Sequence, residues 1–150
     1  MRNSNIIPSE ISFMLKNQFF CVLATQSNDK PYCSLVSYAV SNNYKEIIFP
    51  TLRNTSKYNN LKQNPNISLL IDTRTNRKND LTDAQALTVL GTANEIDKKL
   101  YENYYEIYLN KHPDLKDFVT NRDCSLITIK VCKYILVSNF QNVIEYSVME

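Results

Sequence analysis

IIFPTLRNTSKYNNLKQNPNISLLID, residues 47–72, changes its periodicity twice. It opens as an apolar β run that ends near Thr51, crosses a polar turn, and takes up helical spacing around Ser56. Asn64-Pro65 stops that short helix, because proline lacks the N–H a continuing helix needs. Residues 66–73 then return to a buried β pattern. A strand, one or two helical turns and a second strand within so short a span point to a compact, mainly β protein with helical additions.

Working outward, residues 10–17 read as a short amphipathic helix with Ser9 as its N-cap. Strands follow at residues 19–25, 32–40 and 45–51, separated by the turn clusters SNDKP and SNNY. Beyond residue 73, TRTNRKNDLTDAQ is a polar loop, and residues 86–96 form a fifth strand. That strand carries Gly91, the only glycine, at a bulge or a close backbone contact. Residues 97–113 give the clearest helix, capped by Asp97, ended by Pro113 and striped by Leu100, Tyr104, Ile107 and Tyr108. The remainder gives a long strand, a turn near Ser138 and Asn139, and a last strand. Six or seven strands and three short helices predict an antiparallel barrel in a single domain over residues 1–150.

The chain is 43% hydrophobic and 21% charged, with a net charge of +2, which by itself argues for neither nucleic acid nor an anionic membrane as partner. TRTNRK is diluted by Asp72, Asp80 and Asp83. No run approaches the ~18 apolar residues of a membrane span. Cys21, Cys33, Cys124 and Cys132 form no C-x-x-C pair, and His112 is the only histidine, so no metal site is expected. Four reduced, mainly packed thiols in a cytoplasmic protein are the expectation. Asn, abundant here, is expected to replace Gly at left-handed corners. The tyrosines of residues 101–108 read as a packing stripe, and His112 as a partner for a helix C-terminus.

Chemistry concentrates after the third strand. Thr55 and Ser56 place hydroxyls and amides at a helix N-terminus, Lys57 adds a point charge, and Arg53 precedes them. Unpaired N–H groups and the helix dipole favour a phosphate there. Earlier, Ser34 and Ser37 interrupt an apolar strand. Alternation puts Ser34, Val36 and Tyr38 on one face and Leu35, Ser37 and Ala39 on the other.

CVLATQSNDKPYCSLVSYAV (residues 21–40), the stretch 47–72 and ALTVLGTA (residues 86–93) together resemble the flavin-binding split barrels of the pyridoxamine 5′-phosphate oxidase-like superfamily. KHP, DCSLITIKV and VSNFQNVIE resemble one uncharacterised branch of it. The resemblance implies a split antiparallel β-barrel that works as a homodimer with FMN at the subunit interface. It implies phosphate binding by Ser56 and Lys57, helped by Thr55 and Arg53. It implies flavin contacts from Pro50 and Thr51, a ribityl and ring strand at Ser34, Leu35, Val36 and Ser37, and a partner-subunit contribution near Gln85 or Ala86.

Departures narrow the function. The C-terminal NVIEYSVME has neither the Arg nor the His that pyridoxamine phosphate oxidase uses, which argues against vitamin B6 oxidation. One histidine argues against the haem-degrading relatives. Ser56 stands where relatives commonly carry Arg, with Arg53 as a candidate replacement. The expectation is a flavin-dependent oxidoreductase of unknown substrate. The alternatives are a non-catalytic flavin carrier and a deazaflavin binder. No side chain is identified as a catalytic acid or base.

Overall fold

The computed structural model describes residues 6–150. Its eight strands are β1 (Phe20–Ser27), β2 (Lys30–Ser37), β3 (Ala39–Val40), β4 (Glu46–Leu52), β5 (Asn66–Asp72), β6 (Ala86–Glu95), β7 (Cys124–Ser138) and β8 (Asn142–Ser147). The helices are α1 (Ser9–Asn17), α2 (Ser56–Gln63), α3 (Asp80–Asp83), α4 (Tyr101–Lys111) and α5 (Lys116–Val119). Every strand pairing is antiparallel, in the order β2-β1-β5-β6-β7-β4-β3, with β8 added beside β7. The sheet curls: β2 and β4 touch although β1, β5, β6 and β7 lie between them in that order. Among the described residues no helix is long and apolar enough to cross a membrane.

Period-2 alternation sorts the side chains. Cys21, Leu23, Leu69, Leu87, Val89 and Phe49 point inward and share one core with Leu61 of α2 and Met14 of α1. The outer face is covered over only one half. There α4 lays Tyr101 and Tyr108 against Ile48, Leu126 and Ala39, forming a second cluster. The tyrosines therefore pack as the sequence predicts, with Tyr104 and Ile107 at the margin, but Leu100, read as part of the stripe, precedes α4 and is exposed.

Turn chemistry also follows the sequence. Ser27 pairs with Lys30 across Asn28 and Asp29, whose φ values of 50° and 62° match the type I′ hairpin turn. Asn76 and Asn139 are further positive-φ positions, filling the role expected of Asn in a chain with one glycine. Gly91 does not need a positive φ. A Cβ there would lie 2.6 Å from the Lys130 carbonyl oxygen and 2.7 Å from Ile129 Cγ2, at the register shift between β6 and β7.

Several expectations change. Ser9 is the first residue of α1 and Pro8 its N-cap, with no side-chain cap. The run 32–40 is two strands, because the chain leaves β1 at Tyr38. The Tyr38 hydroxyl reaches inward to donate to the Leu15 carbonyl at 2.9 Å, and Ala39 and Val40 then pair with β4. Lys111 joins α4 to the end of α1, donating to the Leu15 and Gln18 carbonyls with its ammonium 4.0 Å from the Tyr38 ring centroid. Burial pulls its pKa down to about 8. His112 caps no helix with its ring: Nε2 lies 2.7 Å from the Tyr38 carbonyl oxygen. Cys21 and Cys124 are buried, whereas Cys33 and Cys132 are exposed, so only two of the four thiols are packed.

Helix α2 is fixed at several points. Leu61 enters the core, and Asn60 donates to Thr25 Oγ1 at 3.1 Å. Glu95, at the end of β6, accepts from Tyr58 at 2.8 Å, Lys62 at 3.0 Å, Ser125 at 2.7 Å and the Arg53 guanidinium at 3.3 Å. Burial alone would raise the Glu95 pKa, but the hydrogen bonds from Ser125, Tyr58 and Lys62 outweigh it and hold the carboxyl at about 2.

Two stability outcomes follow. Gly91→Ala forces the β6–β7 ladder apart and lowers unfolding stability by about 1–3 kcal/mol in a denaturant titration. An unchanged midpoint would mean the two strands yield freely. For Glu95 the folded pKa lies below its usual 4.5, so its contribution is complete above that pH and is lost as pH falls toward about 2. Discounted for solvent screening, the contribution is roughly 1–2 kcal/mol. Glu95→Gln therefore flattens the acid limb of the stability–pH curve. An acid limb identical to that of the parent would remove the clamp.

Candidate functional site

Two of the sheet's open edges belong to β2 and to part of β4. The bond from Tyr38 N to Phe19 O marks that pair as hydrogen-bonded. Alternation along the hairpin then turns the main-chain N–H and C=O groups of Cys33, Leu35 and Ser37 away from β1, out of the sheet. Pro31 fits the same edge, where no N–H is owed to the ladder. Opposite, β3 pairs with β4 only at Ile47 and Ile48, so β4 is free along that side from Phe49 onward. Pro50 and Thr51 lie on this free stretch, both buried. The split between β2 and β4 is closed at one end by α2, which packs on β1 and β2.

The residues singled out from the sequence fall into distinct groups. Ser34 and Val36 face inward, beside Leu23 and Cys21. The Ser34 hydroxyl is buried and has no hydrogen-bond partner among the described residues. An unpaired buried hydroxyl costs about 1–3 kcal/mol, so a partner there would be stabilising. Leu35 and Ser37 face outward; Leu35 is 67% exposed, and Ser37 Oγ lies 2.7 Å from the Tyr108 hydroxyl. The Tyr108 hydroxyl therefore holds the Ser37 side chain from the α4 side.

Thr55 is the N-cap of α2: its hydroxyl donates to the Leu52 carbonyl at 2.8 Å and accepts from Tyr58 N at 3.4 Å. Thr51 Oγ1 lies 3.2 Å from the same hydroxyl. This commits Thr55 to the helix and leaves the first-turn amides of Ser56 and Lys57 without helical acceptors. Lys57 forms no ion pair among the described residues. Arg53 is held elsewhere, its Nε and Nη2 on Glu95 and its Nη1 on the Arg122 carbonyl at 2.8 Å. Gln85 and Ala86 stand at the far end of β6 from Glu95. Nine strand steps of ~3.3 Å separate Ala86 from Glu95, about 30 Å. That end lies away from the start of α2, where Arg53 and Tyr58 meet Glu95.

The Glu95 cluster escaped the sequence analysis. Its partners lie 30 to 42 residues away along the chain, and a glutamate at a strand end carries no local signature. The split can nonetheless take a phosphorylated, flat ligand. The α2 amides and Lys57 suit the anion, the open β2 edge suits a polar heterocycle, and the Ser34 hydroxyl lacks a partner. Among the described residues no group of three His, Cys, Asp or Glu side chains gathers to hold a metal.

Comparison with known proteins bears on the same region. A family model described as pyridoxamine 5′-phosphate oxidase matches residues 7–137. A Schizosaccharomyces pombe protein described as a pyridoxamine 5′-phosphate oxidase homolog is 30% identical, covering 86% of this chain and 84% of its own. Among solved structures, Campylobacter jejuni ChuZ superposes with a TM-score of 0.82 at 15% identity, over 98% of this chain and 61% of its own. A heme-binding protein from Mycobacterium smegmatis gives 0.80 at 16% identity, over 95% and 60%. A FAD-binding protein from Mesorhizobium loti gives 0.67 at 18% identity, over 87% and 94%. The chain thus spans about three fifths of the first two of these structures. Those likenesses establish the fold as the split barrel, and the family match extends over most of the described strands: the chain belongs to the pyridoxamine 5′-phosphate oxidase family.

Proposed function

We propose that this protein is a cytoplasmic flavoprotein that binds FMN at the interface of a homodimer and acts as a flavin-dependent oxidoreductase. The observation that carries the proposal is the arrangement around the split. An unpaired lysine and two free amides at the start of α2 stand at one end, and the open edge of β2 with the buried Ser34 hydroxyl lies alongside. Lys57 and the amides of Ser56 and Lys57 hold the phosphate. The main chain of Leu35 and Ser37 and the Ser34 hydroxyl hydrogen-bond the polar atoms of the ring or the ribityl chain. Pro50 and Thr51 line the opposite wall.

The dimer is argued from the uncovered half of the outer face. Phe20, Leu35, Leu70, Leu90 and Val143 lie on it by strand register and are all exposed, with Phe20 at 60% and Val143 at 56%. Contiguous apolar surface of this kind marks an association site. A second copy covers it without requiring any other partner, and places a far-end residue such as Gln85 or Ala86 against the neighbouring split.

Bound flavin supplies electron and hydride transfer, and the chain supplies the anchor, the orientation and the exclusion of water. Ser34, Ser37, Pro50 and Thr51 have no acid–base function near neutral pH, so protons come from solvent or substrate. The Mycobacterium smegmatis neighbour is a heme-binding protein, but here the one imidazole is spent on the Tyr38 carbonyl and packs 4.8 Å from the Tyr108 ring. This favours flavin.

Lys57→Ala removes the unpaired ammonium and weakens FMN binding by about 1.5–3 kcal/mol, roughly tenfold or more. Fluorescence titration of FMN measures it directly. An affinity equal to that of the parent would place the phosphate elsewhere.

A further inference from the structure

Arg53 stands two residues before Thr55, the N-cap of α2. A side chain of its length, turned toward α2, has the reach to meet an anion at the helix N-terminus. The guanidinium turns the other way. Nε and Nη2 donate to Glu95 Oε1 at 3.4 and 3.3 Å, and Nη1 donates to the Arg122 carbonyl. Glu95 Oε2 meanwhile takes Lys62 at 3.0 Å and the Tyr58 hydroxyl at 2.8 Å. One carboxylate therefore engages two of the three cations that lie on or beside α2. Lys57, the third, remains unpaired among the described residues.

We infer that Glu95 withholds Arg53 from the phosphate end of the split, leaving Lys57 as the single side-chain cation there and setting a modest affinity for the phosphate group. This rests on the flavin reading above and adds an affinity-setting residue that need not touch the ligand. Both Arg53 nitrogens share the single oxygen Oε1, so the contact is looser than a two-oxygen fork, but it is charge-assisted and the Arg122 carbonyl adds a shorter bond at 2.8 Å; an arriving phosphate must compete with these for the same donors. The competition is fixed. The Ser125 and Tyr58 hydroxyls keep Glu95 ionised through the neutral range, so no physiological proton releases Arg53. Replacing the carboxylate by an amide keeps one acceptor oxygen, for the Ser125 or the Tyr58 hydroxyl but not both, and removes the charge that holds the guanidinium.

The test is the affinity of Glu95→Gln for FMN, with riboflavin, which has no phosphate, titrated in parallel. FMN binding should tighten roughly three- to tenfold as Arg53 becomes a phosphate donor. Riboflavin affinity should stay within about twofold, since the gain is through the phosphate. Adding Arg53→Gln to that variant should abolish the gain. Arg53→Gln alone, which leaves Lys62 on the carboxylate, should change FMN affinity by less than about twofold, because the guanidinium is already engaged. Tighter binding in a less stable protein is a combination that a purely structural role for Glu95 does not give. FMN affinity unchanged or weakened in Glu95→Gln, while Lys57→Ala still weakens it, would overturn the inference and leave the flavin reading standing. A loss in Arg53→Gln as large as that in Lys57→Ala would overturn it as well, by making Arg53 a phosphate ligand already. If Lys57→Ala has no effect, the flavin reading falls and takes this inference with it.

Discussion

A curled antiparallel sheet that stops short of closing leaves main-chain donors and acceptors unpaired along two strands, and unpaired backbone groups are costly unless water or a ligand meets them. In this protein two of the open edges, β2 and the second half of β4, face each other across the split. The sequence is adapted to both. Pro31 and Pro50 occupy edge positions where a missing N–H costs nothing, and α2 plugs one end through Leu61 in the core and Asn60 on Thr25. The split is thus a structural consequence of incomplete closure before it is a binding site.

The same economy governs the charges. The net charge is only +2, so attraction for an anion has to be local. Glu95 gathers Arg53 and Lys62 to fasten α2 to β6 and β7, and in doing so removes them from the electrostatics of the helix N-terminus. Lys57 and two backbone amides remain. Rigidity of α2 and strength of anion binding are therefore set against each other through one carboxylate.

Much of this was legible in the sequence, and the parts that were not share a cause. The strands of residues 66–73 and 86–96, the α2 start at Ser56, the shared face of Ser34 and Val36 and the tight contact at Gly91 all follow from period, punctuation and residue size. The break at Tyr38 does not, because it depends on a hydroxyl finding the Leu15 carbonyl 23 residues earlier in the chain. The commitment of Arg53 to Glu95 spans 42 residues and was equally invisible, so Arg53 looked like a phosphate helper when read locally. His112 was legible only in part: its N–H closes the C-terminus of α4 on the Tyr108 carbonyl, but the carbonyl its ring meets lies on another element. Local pattern specified the elements, while long-range hydrogen bonds decided which side chains were left free for a ligand.

The central claim is that the split holds one flavin phosphate per chain in a two-chain assembly. Equilibrium dialysis of the purified protein against FMN, with the mass of the same sample determined by sedimentation, tests it most directly. The account predicts saturation near one FMN per chain in a particle of two chains. A protein that takes up no FMN at any accessible concentration, or that binds it only as a single chain, would contradict it.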